Sequence, residues 1–224
     1  MQFLILGKGK TGSLVADVAR ERGHAVRSLD VNENLHAAAL TASNLAEVDA
    51  VIDFTAPEAA VENISAVLAA GGRIVVGTTG WYAHLDEMKQ LARGCGALLY
   101  GTNFSMGVQK LFQLTADLAK LDGYNFSITE THHTSKLDAP SGTAITLREI
   151  IQSVQLGIEI PITSHRIGDA KGEHVVKASS EVDTLEIRHD AHSRRGFALG
   201  AVRAAEWVAG KSGVWEFREI FDKL

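Results

Sequence analysis

Over the first hundred residues, short apolar runs alternate with helical-period segments, and this rhythm constrains the fold more than any other feature of the chain. The runs are FLILG (3–7), HAVRSLD (24–30), AVIDFT (50–55), RIVVGTTG (73–80) and ALLYGTN (97–103); the segments between them include 12–22, 57–70 and 83–93. Strands joined by crossover helices form a parallel sheet covered on both faces, so a doubly wound α/β domain is expected. Pro57 fits the first turn of its helix, and Gly71-Gly72 fits the end. After a helix-like stretch at 105–121 the pattern changes. Runs near 125–132, 160–167, 173–179 and 183–190 alternate apolar with polar, as in TLEIRH, and one helix, about 141–156, interrupts them. A second, α+β domain with a mixed or antiparallel sheet follows from that pattern. RGFALGAVRAAEWVAG then returns to helical spacing and VWEFREIF closes the chain. The expected division is 1–104, 105–194, and a tail at 195–224 that packs back on the first domain.

A length of 224 residues suits two modest domains, and 46% hydrophobic with 22% charged residues suits a soluble protein with a core. The net charge of −5 gives no basic footprint, so neither nucleic acid nor an anionic membrane is an expected partner. The single cysteine, Cys95, leaves no internal disulfide and fits a reducing cytosol. No apolar run has transmembrane length, and MQFLILGKGKTG reaches glycine too early for a signal peptide, so a cytoplasmic location is expected.

The first strand ends in GKGKTG, which places Gly7, Gly9 and Gly12 in G-x-G-x-x-G spacing ahead of a helix. Glycine permits the tight turn and lets backbone N–H groups approach a pyrophosphate at the helix N-terminus. Asp30 ends the second strand about twenty residues on, as the dinucleotide fingerprint requires; its carboxylate would accept from ribose hydroxyls and repel a 2′-phosphate. Lys8 and Lys10 bring charge for phosphates, a 2′-phosphate included. The competing reading is a glycine-rich connection with no nucleotide. DFTAPE (53–58) and GTTGW (77–81) sit at carboxyl ends of strands, the edge where such folds bind ligands. Thr78 and Thr79 can offer backbone and hydroxyl groups to a nicotinamide, or can simply be turn residues.

The densest chemistry lies in THHTSKLDAPSGTA, residues 131–144. Adjacent residues of a strand face opposite ways, so His132 and His133 cannot share one task. Lys136 adds a cation. Pro140 stiffens the approach to a helix that Ser141 or Thr143 can cap, and Gly142 leaves its N–H groups open to an anion. Imidazole, ammonium and helix N-terminus together describe a site for a carboxylate-bearing substrate that must receive a proton. Metal binding has ligands available in Glu130, His132, His133 and Asp138, but adjacent histidines chelate poorly and no H-E-x-x-H occurs, so no metal is expected. A serine hydrolase lacks its G-x-S-x-G elbow. A polar surface loop is the remaining alternative.

ETHHTSKLDAPSGTA closely resembles the signature E-x-H-H-x-x-K-x-D-A-P-S-G-T-A of the 4-hydroxy-tetrahydrodipicolinate reductase family, also called dihydrodipicolinate reductases. GTTG, NFSMGV, RIGDAKGEH and HDAHSRRGFALGAVRAAEW resemble further family blocks in the same order along almost the whole chain. The resemblance implies NAD(P)H-dependent reduction of a small cyclic dicarboxylate imine in the diaminopimelate route to lysine. It implies a Rossmann-type nucleotide-binding domain at 1–104, a substrate-binding and oligomerisation domain at 105–194, and a homotetramer. By the same resemblance, His132 is the acid/base histidine and Lys136 the proton-donating lysine. His133, Ser141, Gly142 and Thr143 hold the substrate carboxylates. The resemblance also puts Gly77, Thr78 and Thr79 on the nicotinamide side of the cofactor, Asn103 and Phe104 in a second cofactor loop, and Arg194 at the hinge; the dinucleotide fingerprint itself gives the cofactor Gly7, Lys8, Gly9, Lys10, Thr11, Gly12 and Asp30. Two departures stand out. The glycine loop is one residue shorter than the family's, with Thr11 where methionine is typical. Val31 follows Asp30 where dual-specificity members carry arginine, so a preference for NADH over NADPH is expected. Two rival functions remain: another oxidoreductase of similar plan acting on a small carboxylate, and a non-catalytic NAD sensor, which would keep the glycine turn but have no need for His132, Lys136 and the Ser-Gly-Thr helix start together.

Overall fold

The computed structural model describes residues 1–94 and 96–224; Cys95, and with it the thiol reading, lies outside the described residues. The chain divides into two compact units, one comprising Met1–Ser105 with Arg195–Leu224, the other Met106–Arg194. Among the described residues no helix is long and apolar enough to cross a membrane.

The first unit is built on six parallel strands: β1 (Gln2–Leu6), β2 (Ala25–Leu29), β3 (Ala50–Asp53), β4 (Arg73–Val76), β5 (Ala97–Tyr100) and β10 (Gly213–Glu216). Their spatial order is β10-β5-β4-β3-β1-β2. Every residue of β3 and β5 is buried. This explains why these strands read as continuous apolar runs and do not alternate. Helices α1 (Lys10–Glu21), α3 (Pro57–Ala69), α4 (Leu85–Gly94) and α7 (Arg195–Val208) cover the sheet, with the short α2 (Ala42–Leu45) between β2 and β3. Pro57 stands at the first position of α3, and the chain leaves that helix through Gly71 at φ +72°. In the tail, α7 packs against α1 and β3, β10 pairs with β5, and the four-residue α8 (Phe217–Ile220) follows.

Register decides where the loops emerge. Leu6 pairs with Leu29 and with Asp53, and Val76 pairs with Asp53 and with Tyr100. The residues that follow, Gly7, Asp30, Phe54, Gly77 and Gly101, therefore leave the sheet along one edge. Because β1 lies between β2 and β3, successive crossovers run in opposite directions from it, which opens a crevice at that point.

The second unit has a four-stranded mixed sheet in the order β7-β6-β8-β9, with β6 (Asn125–His132), β7 (Ile162–Arg166), β8 (Glu173–Ser179) and β9 (Thr184–Asp190). β6 runs parallel to β7 and antiparallel to β8. Helices α5 (Met106–Leu118) and α6 (Gly142–Val154) bury Leu111, Leu147 and Ile151 against Phe126 and Ile128 of β6 and Val176 and Ala178 of β8. Along β6 the inward positions are Phe126, Ile128, Glu130 and His132. The pleat thus carries the apolar face directly into two polar residues.

Candidate active site

The glycine turn is tighter than its spacing suggests, since α1 begins at Lys10 and not at 12. Gly7 turns the chain in one residue at φ +96°, where a Cβ would lie 2.4 Å from the Phe54 carbonyl oxygen. A Cβ on Gly12 would lie 1.9 Å from the Gly7 carbonyl oxygen, so only glycine lets α1 start this close to the strand end. Gly9, by contrast, has nothing within 4 Å of its Cβ position. The amides of Lys10, Thr11 and Gly12 open α1 with no acceptor among the described residues. Bare backbone, open space and a helix N-terminus fit a pyrophosphate.

Two cavities continue from this turn along the carboxyl edge. One of about 470 Å³ is lined by Gly7, Lys8, Gly9, Asp30, Val31 and Phe54 among others. The next, of about 430 Å³, adds Lys10, Thr11, Gly77, Thr78 and Thr79 and shares Gly9 with the first. They form a track from Asp30 to the GTT loop. At the Asp30 end the carboxylate accepts from the amides of Asn32 (2.9 Å) and Glu33 (3.1 Å). Glu33 in turn ion-pairs with Lys8 and accepts the Asp30 amide at 2.8 Å, and these contacts hold its carboxyl below the usual range. Lys8 is thereby turned to a carboxylate that sequence reasoning did not single out.

At the other end the unforeseen residue is Asp53, the fully buried last residue of β3. Its Oδ1 accepts from the Thr55 hydroxyl (2.7 Å), the Thr55 amide (2.9 Å) and the Thr78 hydroxyl (2.8 Å); its Oδ2 accepts from Asn63 (2.9 Å). Burial pushes this carboxyl up against those hydrogen bonds. The Thr78 hydroxyl is therefore spent on fixing its own loop, which leaves Thr79 exposed beside Gly77. Asn103 accepts the Ser105 amide at 2.8 Å, and the buried Phe104 packs on Phe217 with ring centroids 4.5 Å apart.

In the second unit Glu130 is fully buried, and register surrounds it. Ser164 on β7 and His174 on β8 are its direct cross-strand neighbours, and Arg166 is the neighbour of His132. Glu130 accepts from Ser164 Oγ at 2.8 Å, from the Ser141 amide at 3.1 and 3.2 Å, and from Arg166 Nη2 at 3.3 Å. Burial raises this carboxyl, but the bonds from Ser141 and Ser164 and the nearby His132 together hold it at about 2. His132 Nε2 lies 3.3 Å from Glu130 Oε2, without the alignment of a full hydrogen bond. Burial pulls the His132 imidazole down, Glu130 pulls it up, and Lys136 and Arg166 oppose Glu130. His174, whose Nε2 lies 3.1 Å from Ser141 Oγ, is pushed down to about 4, chiefly by burial.

Ser141 caps α6, its hydroxyl accepting the Ala144 amide at 3.2 Å. The amides of Gly142 and Thr143 have no acceptor among the described residues, and nothing lies within 4 Å of the Gly142 Cβ position. The cap is thus turned inward while the next two amides remain open to an anion. Lys136 Nζ contacts both Asp138 oxygens at 2.7 and 2.8 Å, and His133 Nδ1 lies 2.8 Å from Ser135 Oγ. Arg194 is the last residue of this unit. Glu130, His132 and His174 bring their ligand atoms within 4.8 Å of one another, close enough for a metal ion. The same carboxylate already faces the Arg166 guanidinium and the Ser141 amide, a donor set that serves a bare anion and competes with a cation.

One unit has a parallel sheet with an open glycine turn, the other carries imidazole, ammonium and two helix amides without an acceptor, and together these groups belong to an NAD(P)H-dependent oxidoreductase. The family model for the N-terminus of dihydrodipicolinate reductase matches residues 1–104, and the model for its C-terminus matches 107–221. The chain belongs to the dihydrodipicolinate reductase family. A 4-hydroxy-tetrahydrodipicolinate reductase of Christiangramia forsetii is 36% identical, across 100% of this chain and 99% of that protein. One from Natronomonas pharaonis is 35% identical, across 96% and 97%. The fold is also that of a dipicolinate-bound dihydrodipicolinate reductase from Paenisporosarcina sp. TG-14, at 22% identity and TM-score 0.84, covering 100% of this chain and 99% of that one.

Proposed function

We propose that the chain reduces 4-hydroxy-tetrahydrodipicolinate to tetrahydrodipicolinate with NAD(P)H, in the diaminopimelate route to lysine. The observation that carries this reading is the α6 start, where the unaccepted Gly142 and Thr143 amides follow directly on the loop bearing Lys136. A ring dicarboxylate needs an anion cradle and a proton source within one molecule's span, and this segment supplies both. Thr143 and Gly142 hold one carboxylate, and His133 and Lys136 meet the other, with Asp138 displaced from Lys136. Ser141 serves the cradle from below as its cap. Loss of the 4-hydroxyl as water leaves a ring imine unsaturated at C3–C4, and a bound dihydronicotinamide would supply a hydride to its C4. Lys136 and His132 stabilise the resulting enamine and return a proton to its carbon.

The cofactor pyrophosphate is assigned to Gly9 and the amides of Lys10, Thr11 and Gly12, and the nicotinamide to Gly77, Thr78 and Thr79 with Asn103 and Phe104. Asp30 lines the ribose end, Glu33 accepts its amide, and Val31 beside it offers no cation, which supports NADH over NADPH. Lys8, paired with Glu33, does not oppose that preference. We place the enzyme in the cytoplasm as a homotetramer, with Arg194 as the hinge. Loss of NADH absorbance on adding the product of the upstream aldol condensation, competed by pyridine-2,6-dicarboxylate, tests the reading. No NADH oxidation with that compound would refute it.

A further inference from the structure

We infer that Glu130 is the positioning residue of the active site: one buried carboxylate joins His132 to the start of α6, while Arg166 clamps the Lys136 loop to that carboxylate. The inference rests on the proposed acid/base role of His132 and adds what sets that role. Glu130 occupies the inward position of β6 that follows Phe126 and Ile128, and it is fully buried there. A buried ion pair is commonly no more stabilising than well-packed apolar residues, so a charge here calls for a reason other than stability. Its contacts supply one. Through the Ser141 amide it fixes the first residue ahead of the two open amides of α6, and through Oε2 it faces His132 at 3.3 Å. Arg166 reaches the same carboxylate at 3.3 Å and also donates to the carbonyl of Lys136 at 3.3 Å and to that of Asp138. The three parts of the proposed substrate site thus meet at one charge.

The groups around His132 make the electrostatic consequence specific. From its own strand it faces Glu130, from β7 Arg166, from β8 the His174 ring at 5.1 Å, and from the following loop Lys136. Gly172, at φ +136°, closes the last side, where a Cβ would lie 3.3 Å from the His132 ring. Glu130 is the one anion in this set. It favours the imidazolium, whereas Arg166 and Lys136 disfavour it.

Removing the charge of Glu130 and removing that of Arg166 therefore have opposite effects. Glu130→Gln should move the pH at which kcat falls on the alkaline side to lower pH by about one to three units, the range for loss of a close opposite charge. At neutral pH its kcat should fall on the order of ten- to a thousandfold by the same shift. Arg166→Gln should move that limb to higher pH, whatever its effect on the size of kcat. NADH affinity should stay at the wild-type value in both. A purely structural role would lower kcat without moving the limb, or move it the same way in both variants; either result overturns the inference. If Glu130→Gln does not fold, the direction of the Arg166→Gln limb still decides. NMR titration of the His132 imidazole in the same proteins, without substrate, should show the same opposite shifts. A wild-type enzyme that fails to oxidise NADH with the proposed substrate would sink the functional reading, and the imidazole titration would still judge Glu130.

Discussion

His174 offers the clearest link between a buried group and stability. It lies 4% exposed beside Glu130 and Ser141, and burial holds its imidazole at about 4, against an ordinary 6.5. A folded pKa below the unfolded one means the unfolded chain binds the proton first as pH falls. The contribution is therefore fully present above about 6.5 and is lost as pH drops towards 4. The depression, at 1.36 kcal/mol per unit, is worth about 3 kcal/mol. Glu130, held at about 2, stays ionised across that window and does not confuse the reading. The perturbation is His174→Gln, whose amide can still meet Ser141 Oγ but does not titrate. Trp81, Trp207 and Trp215 all belong to the first unit, so tryptophan fluorescence does not follow the second. Hydrogen exchange in peptides covering β6 and β8, measured through a urea series, does follow it. Between neutral pH and pH about 4.5, the wild type should lose about 2–3 kcal/mol more stability than His174→Gln. Equal losses in the two proteins would refute the argument that burial keeps this imidazole neutral.

Three further outcomes follow from the sites. Gly12→Ala should weaken NADH binding about ten- to a hundredfold, the equivalent of 1–3 kcal/mol of overpacking, because its Cβ must push the Gly7 carbonyl out of the turn; titration of NADH fluorescence measures it. Lys136→Ala and His132→Ala should each lower kcat on the order of ten- to a thousandfold with near-normal NADH affinity, the loss expected for general-acid groups; wild-type turnover in both would remove them from the mechanism. Direct titration should give tighter binding of NADH than of NADPH, and Val31→Arg should narrow the difference; tighter NADPH binding by the unaltered chain would contradict the acidic assignment of Asp30 and Glu33.

Much of the architecture was legible because periodicity reports burial. The continuous runs at 50–55 and 97–103 announced strands covered on both faces, and the alternating 125–132 announced one with a wet side. The helix start at 141–143 was legible for a local reason: Ser141 caps α6 with its own hydroxyl, and the Gly142 and Thr143 amides come next in the chain. What sequence reading missed depends on pairs far apart in the chain. Glu130 meets Ser164, Arg166 and His174 only because β7 and β8 flank β6 in one register, and RIGDAKGEH shows none of this by itself. Asp53 was hidden similarly, since its partners Asn63 and Thr78 come from the next helix and the next strand end. The early start of α1 escaped because a shortened glycine loop leaves the helix phase unchanged while moving its first turn.

The proposed function turns on a hydride passed from the nicotinamide to C4 of the substrate ring. Single-turnover reaction of the enzyme with NADH deuterated at C4 and the upstream condensation product tests it most directly. Mass spectrometry should find the transferred deuterium at C4 of tetrahydrodipicolinate, in step with the NADH consumed. NADH left unoxidised, or product formed without the label from either face of the nicotinamide, would contradict the account.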